Sequence, residues 1–296
     1  GYLYNGKLRD RVEEIKTISK RLTSLEHVLV LEYISSTEDI DCFPNFNTVF
    51  QSDPLETYIS CGFNDPLCIV FSSGTTGKPK CIVHSIGGVL IQHAKEHLLH
   101  TNLSEKQKMF YFTTCGWMMW NWLVGSLFCR SSIILYEGSP FYPNPKHLWE
   151  IAEKSKLNVF GTSAKYIDAL SKSKINLKRH FQLNSLQTIC STGSPLSPDG
   201  YDYILSNIKS DVQIASISGG TDLLSCFVLS NPISPVIKGE IQCRALAMDV
   251  DIFNEYGESL VDKEGELVCK IPFPSMPLKF WNDLDNTKYK EAYFEK

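Results

Sequence analysis

Phe71-Ser72-Ser73-Gly74-Thr75-Thr76-Gly77-Lys78-Pro79-Lys80 is the stretch from which the rest of the chain can be read. Its two glycines let the backbone lie close to a ligand and turn N–H groups toward an anion. Ser72, Ser73, Thr75 and Thr76 add four hydroxyl donors, and Lys78 and Lys80 add positive charge. Together these residues describe a phosphate cradle. It is not a GxxxxGK[ST] loop, because Pro79 follows Gly77-Lys78 and Gly74 stands too close before them. Pro79 also forbids a helix beginning directly after the lysine. On residue types alone, a Ser/Gly surface loop joining two strands is the favoured reading of a bare Ser/Gly/Thr stretch.

On either side of this loop the pattern alternates. Apolar runs at 67–71 and 81–84 read as strands, and 87–100 as a helix. Strands are then expected at 132–136, 158–160, 186–190 and 212–217, with helices at 146–155, 164–171 and 198–208 between them. Such alternation predicts an α/β fold with a mostly parallel sheet flanked by helices, in which ligands sit at the carboxyl ends of strands. Upstream, Leu8, Val12, Ile15, Ile18 and Leu22 lie on one face of a helix over 7–22, and 27–34 reads as a buried strand. Residues 35–64 look like an irregular surface excursion. After about Asn231 the prolines Pro232 and Pro235 precede short apolar runs at 238–243, 247–253 and 265–271, with a turn at 254–257. These predict part of a small β subdomain over 231–296, following an α/β region over 1–230.

Composition excludes several classes. With 296 residues, 43% hydrophobic and 21% charged, the chain is ordinary globular protein. A net charge of −4 argues against nucleic acid as a partner, which would require a basic face. Ten cysteines occur with no CxxC pair, which argues against a zinc ribbon or redox motif. Several lie in apolar runs (Cys68, Cys190, Cys269) and read as small core residues kept reduced in a cytosol. Residues 109–129 carry no charge, but Thr113-Thr114-Cys115-Gly116 interrupts them as a turn. A strand, a loop and a helix explain the segment better than a membrane span.

Two further loops follow predicted strands: Gly193-Ser194-Pro195, after Ser191-Thr192, and Ser218-Gly219-Gly220-Thr221-Asp222. With the loop at 71–80 they resemble the signature motifs of the adenylate-forming acyl- and aryl-CoA ligase superfamily. Ser194 stands where that family often has Glu or Ala, and Asp222 where it has Glu, one methylene longer. The resemblance runs through nearly the whole chain and is strongest to members that activate acetoacetate. It includes the tryptophan-rich Thr114–Trp122 segment, where three of the five tryptophans fall within six residues, and Phe280-Trp281-Asn282-Asp283.

The resemblance implies ATP, Mg²⁺ and CoA as cofactor and co-substrates, and a carboxylic acid as substrate. It assigns Ser72, Ser73, Gly74, Thr75, Thr76, Gly77, Lys78 and Lys80 to the β- and γ-phosphates. Gly193, Ser194, Pro195, Ser218, Gly219 and Gly220 fall to adenine and acyl group, Thr221 to the α-phosphate and Asp222 to Mg²⁺. A turn or helix-cap aspartate is the plain alternative for Asp222. Trp117 is a candidate wall of the acyl pocket, core packing being its plain alternative. Relatives specific for acetate place a tryptophan at the position of Gly219, so glycine here implies room for a longer acid, since one methylene is worth roughly 1–3 kcal/mol. The family's ribose-gripping Gly-Asp pair and its mobile C-terminal domain with a catalytic lysine are expected beyond Lys296. The chain is thus expected to be a portion of a longer enzyme, inactive alone. An adenylation domain that loads a carrier protein, an inactive nucleotide-binding paralogue, or a ligase for another short- or medium-chain acid would share the same phosphate loop.

Overall fold

The computed structural model describes residues 1–31, 33–34, 43–47, 53, 55–72 and 79–295. The chain divides into two compact units, one of residues 1–60 and 136–148, the other of 61–135 and 149–296.

In the smaller unit, β1 (Tyr2–Tyr4) and β2 (Lys7–Arg9) form an antiparallel hairpin. Asn5 and Gly6 at its turn have φ of 52° and 73°. Two successive left-handed residues match the right-handed twist of paired strands, and Asn-Gly adopts that turn most readily. The helix expected from residue 7 therefore begins only at α1 (Val12–Arg21), because the first residues of its apolar face are spent in the hairpin. The strand expected at 27–34 is not formed among its described residues. Val30 makes a single bridge to Asn45, and Leu29 and Leu31 are exposed.

The larger unit opens with β3 (Pro66–Ser72) and β4 (Lys80–Ser85), an antiparallel pair in which Ser72 faces Lys80. Residues 73–78, the centre of the loop read above, lie outside the described residues. Helix α2 (Ile86–Lys95) is capped by Ser85, whose Oγ accepts from Gly88 N at 3.1 Å, and runs into a π turn at Glu96–His100. There follow β5 (Lys108–Tyr111), α3 (Met119–Gly125), β6 (Ser132–Ile134), α4 (His147–Ser155), β7 (Val159–Ser163), α5 (Ala164–Lys172), β8 (Thr188–Thr192), α6 (Pro198–Tyr203) and β9 (Gln213–Ser216). Strands β5 to β9 form one parallel sheet in the order β6-β5-β7-β8-β9. No helix among the described residues is long and apolar enough to cross a membrane; the uncharged run at 109–129 is the expected strand, loop and helix.

Register explains the packing. Phe110, Phe160, Ile189 and Ile214 stand side by side across four strands, all buried. One residue on, the row is Tyr111, Gly161, Cys190 and Ala215. Its small members leave space for the Tyr111 ring, which meets Trp122 edge-on at 5.8 Å. A Cβ on Gly161 would lie 2.0 Å from the Tyr111 ring.

Beyond β9 the chain turns antiparallel. β10 (Ser218–Gly220), β11 (Ser225–Leu229) and β12 (Cys243–Arg244) form a three-stranded sheet with a bulge at Ser218/Gly219. β13 (Val250–Phe253) and β14 (Glu266–Cys269) pair around the expected turn at 254–257, where Gly257 has φ 77°. Of the run at 238–243 only Cys243 enters a strand. β15 (Lys279–Phe280) joins the edge of β4, and α7 (Thr287–Tyr293) follows. Of the nine described cysteines only Cys129, Cys190 and Cys226 are buried core residues, while Cys61 and Cys115 are exposed. Cys42 lies outside the described residues.

Helix α2 is joined to its neighbours by buried histidines. His93 Nε2 meets the Leu224 carbonyl at 2.7 Å, His97 Nε2 the Trp122 carbonyl at 2.8 Å, and His100 Nδ1 the Ser230 carbonyl at 2.8 Å. Burial lowers all three pKa values, that of His97 to about 3. The folded His97 thus stays neutral while the unfolded chain takes up a proton below pH ~6.5, so its contribution to stability is complete above that pH and declines toward pH 3. Between pH 7 and pH 5 His97 alone should remove about 2 kcal/mol of stability, read as a lower urea midpoint; a flat midpoint across that range would contradict it. Gly161→Ala should cost about 1–3 kcal/mol by overpacking against Tyr111. In a double-mutant cycle with Tyr111→Leu, strictly additive losses would show that the ring is not the obstacle.

Candidate functional site

In a parallel sheet every strand delivers its chain to the same edge, and crossovers must return to the other. The carboxyl ends of β5, β8 and β9 therefore bring together loops far apart in sequence. The segment after β5 carries Trp117, that after β8 carries Gly193-Ser194-Pro195, and that after β9 carries Ser218 to Asp222.

Two adjoining cavities lie there. One, of about 120 Å³, is lined by Trp117, Met118, Gly219, Gly220, Thr221 and Cys226 among others. The other, of about 280 Å³, is lined by Gly193, Ser194, Pro195, Ser218, Gly219 and Ile241 among others. Gly193 takes φ +85°, a left-handed conformation that glycine adopts without strain, and lies beside the Trp117 ring.

Gly219 has a second reason to be glycine. A Cβ there would lie 2.0 Å from the Ser225 carbonyl oxygen and 2.7 Å from Cys226 Cα. The pairing of β10 with β11 excludes any side chain before cavity width is considered. A tryptophan introduced here would move the β11 backbone as well as fill space.

Beside the cavities lies a charged cluster. Lys80 Nζ donates to Asp222 Oδ1 at 2.5 Å, and Tyr293 Oη donates to the same oxygen at 2.6 Å. The Lys80 ammonium also faces the Tyr293 ring at 5.2 Å and the Phe280 ring at 5.9 Å. Partial burial works against the Asp222 charge, but bonding to Lys80 and Tyr293 outweighs it and holds the carboxyl below its ordinary pKa. Burial and the carboxylate together push the Tyr293 hydroxyl well above its usual range. Tyr293 is set in place by Asp283, whose carboxylate accepts from Lys288 N at 3.2 Å and Tyr289 N at 3.0 Å at the start of α7.

Behind Thr221, the buried His84 ring places Nε2 3.0 Å from the Thr221 carbonyl and Nδ1 3.2 Å from that of Ser275. Burial lowers its pKa although both carbonyls oppose the shift. The ring braces the Thr221–Asp222 turn from β4.

Of the residues singled out from sequence, Lys80, Thr221 and Asp222 converge, and Trp117, Gly193 and Gly219 meet around the cavities. Ser72 ends β3 with a buried hydroxyl that has no hydrogen-bond partner among the described residues. Ser73, Gly74, Thr75, Thr76, Gly77 and Lys78 lie outside the described residues. Tyr293, Phe280 and His84 escaped sequence reading as site residues: each acts through contacts spanning about 70 or more positions or the full sheet, and no local spacing marks them. Among the described residues no group of three or more His, Cys, Asp or Glu could hold a metal ion. The single carboxylate of Asp222 fits a hard cation that takes most of its ligands from phosphate and water.

Whole-chain comparisons find similar proteins along almost the entire sequence. A family model described as AMP-binding enzyme matches residues 8–276. The acetoacetyl-coenzyme A synthetase of Rhizobium meliloti (strain 1021) is 47% identical over 100% of this chain and 46% of its own length. The acetoacetyl-CoA synthetase of Gallus gallus is 45% identical over 99% of this chain and 46% of its own. The solved structure of acetoacetyl-CoA synthetase from Streptomyces lividans superimposes with a TM-score of 0.92 at 39% identity, covering 100% of this chain and 46% of that one. The chain spans about half the length of the relatives it matches. With a family model that matches residues 8–276, the chain belongs to the AMP-binding enzyme family.

Proposed function

We propose that the protein carrying this chain is an AMP-forming acid–CoA ligase that activates acetoacetate. A carboxylate oxygen attacks the α-phosphorus of ATP and pyrophosphate leaves, giving acetoacetyl-AMP; the CoA thiol then attacks the acyl carbon and AMP departs. The observation that carries the reading is the convergence of the loops after β5, β8 and β9 with Lys80 and Asp222 at one sheet edge. The similarity of the whole chain to named acetoacetyl-CoA synthetases supports the choice of acid.

In this proposal the 72–80 loop cradles the β- and γ-phosphates with hydroxyl and amide donors, and Lys80 supplies charge. The cavity at Gly193, Ser194, Pro195 and Ser218 takes adenine, and the one at Trp117, Gly219 and Gly220 takes the acyl chain. Thr221 binds the α-phosphate. Asp222 would hold Mg²⁺, which would supply neutralisation of polyphosphate charge. The chemistry depends on alignment and charge neutralisation more than on covalent help from the protein. Lys80 rests on Asp222, so an incoming phosphate offers the ammonium a second anion within the same cluster. We place the activity in the cytosol, in ketone-body use and lipid metabolism. The domain boundary near residue 230 belongs to the same proposal, as do a C-terminal catalytic domain and a ribose-binding aspartate supplied by the rest of the protein.

The test is acid-dependent ATP–pyrophosphate exchange in the full-length protein, with acetoacetate, acetate and butyrate side by side. Exchange strongest with acetoacetate is expected; preference for another acid keeps the chemistry and discards the substrate, and exchange with none removes the reading. Lys80→Ala should lower kcat/KM by on the order of 10²-fold through lost charge stabilisation. Asp222→Asn, which keeps the shape and removes the charge, should raise the Mg²⁺ concentration needed for half-maximal exchange. An unchanged Mg²⁺ dependence would take Asp222 out of the metal site.

A further inference from the structure

One charged side chain in the core is used by nothing above. Glu96, in the π turn that ends α2, is fully buried. Its Oε2 accepts from Trp122 Nε1 at 2.7 Å. Its Oε1 accepts from Ser225 Oγ, from Cys226 N at 3.2 Å and from Gln92 Nε2 at 3.3 Å, and Lys95 Nζ lies 3.5 Å away. Taking a carboxylate out of water costs several kcal/mol, and an apolar residue of similar size would pack without that cost. The charge is therefore informative for what it holds in place.

What it holds is the wall of the smaller cavity. Ser225 and Cys226 line that cavity directly and stand opposite Gly220 and Gly219 in the β10–β11 register. Trp122 lies on α3, which begins at Met119, and Trp117, Met118 and Met119 line the other side. One carboxylate thus bonds to β11 with one oxygen and to α3 with the other, and so sets the separation of the two walls. None of its bonds reaches the residues lining the larger cavity at Gly193, Ser194 and Pro195. The side chain is held in its charged form: burial opposes the charge, but Lys95 and the donors from Ser225 and Trp122 outweigh it, so its pKa lies below the ordinary carboxylate value.

We propose that Glu96 is a positioning residue for acid specificity, fixing Ser225 and Cys226 against α3 so that the acyl cavity keeps its width. The inference rests on the function proposed above and assigns Glu96 no contact with substrate. Glu96→Gln preserves shape but replaces one acceptor oxygen by an NH₂ donor, so either Trp122 Nε1 or the Ser225–Cys226 pair loses its acceptor.

The experiment compares full-length wild type, Glu96→Gln and Ser225→Ala by ATP–pyrophosphate exchange, with separate KM values for ATP and for acetate, acetoacetate and butyrate. In Glu96→Gln the KM of the preferred acid should rise about tenfold or more, as misplaced binding groups do. The KM for ATP should stay within about twofold and the ranking among acids should flatten. Ser225→Ala, which removes one donor and keeps the charge, should shift the acid KM in the same direction by a few-fold and decides the matter where Glu96→Gln fails to fold. Equal changes in acid and ATP, or a lowered melting temperature with the acid ranking intact, would make Glu96 purely structural and overturn the proposal. A wild type that exchanges with no acid would instead strike at the proposed function itself.

Discussion

A carboxylate with no access to water, Glu96, ties the larger unit together. It sits where α2 gives way to a π turn and collects donors from α3, from β11 and from its own helix. Three histidines of the same segment reach backbone carbonyls of the same neighbours. A buried polar network of this kind is stable only when its main members find partners, and once they do it permits very few arrangements. An apolar core could slide by a fraction of a side chain; a helix held by directional bonds to named carbonyls cannot. The cavity walls inherit that rigidity.

The parallel sheet supplies the other constraint. Because its strands all point one way, the residues that leave them are gathered at one edge whatever their separation in sequence. Trp117, Gly193 and Thr221 meet for this reason alone. The antiparallel strands then add what the parallel sheet lacks: β4 brings Lys80 to Asp222, and β11 forms a wall behind Gly219. From Asp283 through α7 to Tyr293 and Asp222, a short chain of bonds places a carboxylate and an ammonium side by side next to the cavities.

Much of this is written locally. The alternation that predicts α/β structure depends on the period of apolar residues, a local property, and the parallel sheet appears where that period places it. The misreadings have local causes too. Asn5-Gly6 forms a tight hairpin turn that outweighs the helical spacing starting at Leu8, and the apolar run at 27–34 finds no full partner strand among the described residues, without which apolar alternation makes no ladder. At Gly219 the close β10–β11 backbone contact gives glycine a second role beside the room it leaves in the cavity, and no local spacing reveals that contact.

By itself, then, the sequence determined the fold class, the family and the loops that carry its motifs, because these depend on periodicity and on short strings of residues whose chemistry is intrinsic. Only the tertiary structure decided that Lys80 rests on Asp222, that Tyr293 shares the same oxygen, that His84 braces Thr221, and that Glu96 is held in the core by α3 and β11. These are pairings across dozens of residues, between side chains of common types. What selects them is the path of the strands and the need of each buried polar atom for a partner, and neither is expressed in the order of neighbouring residues.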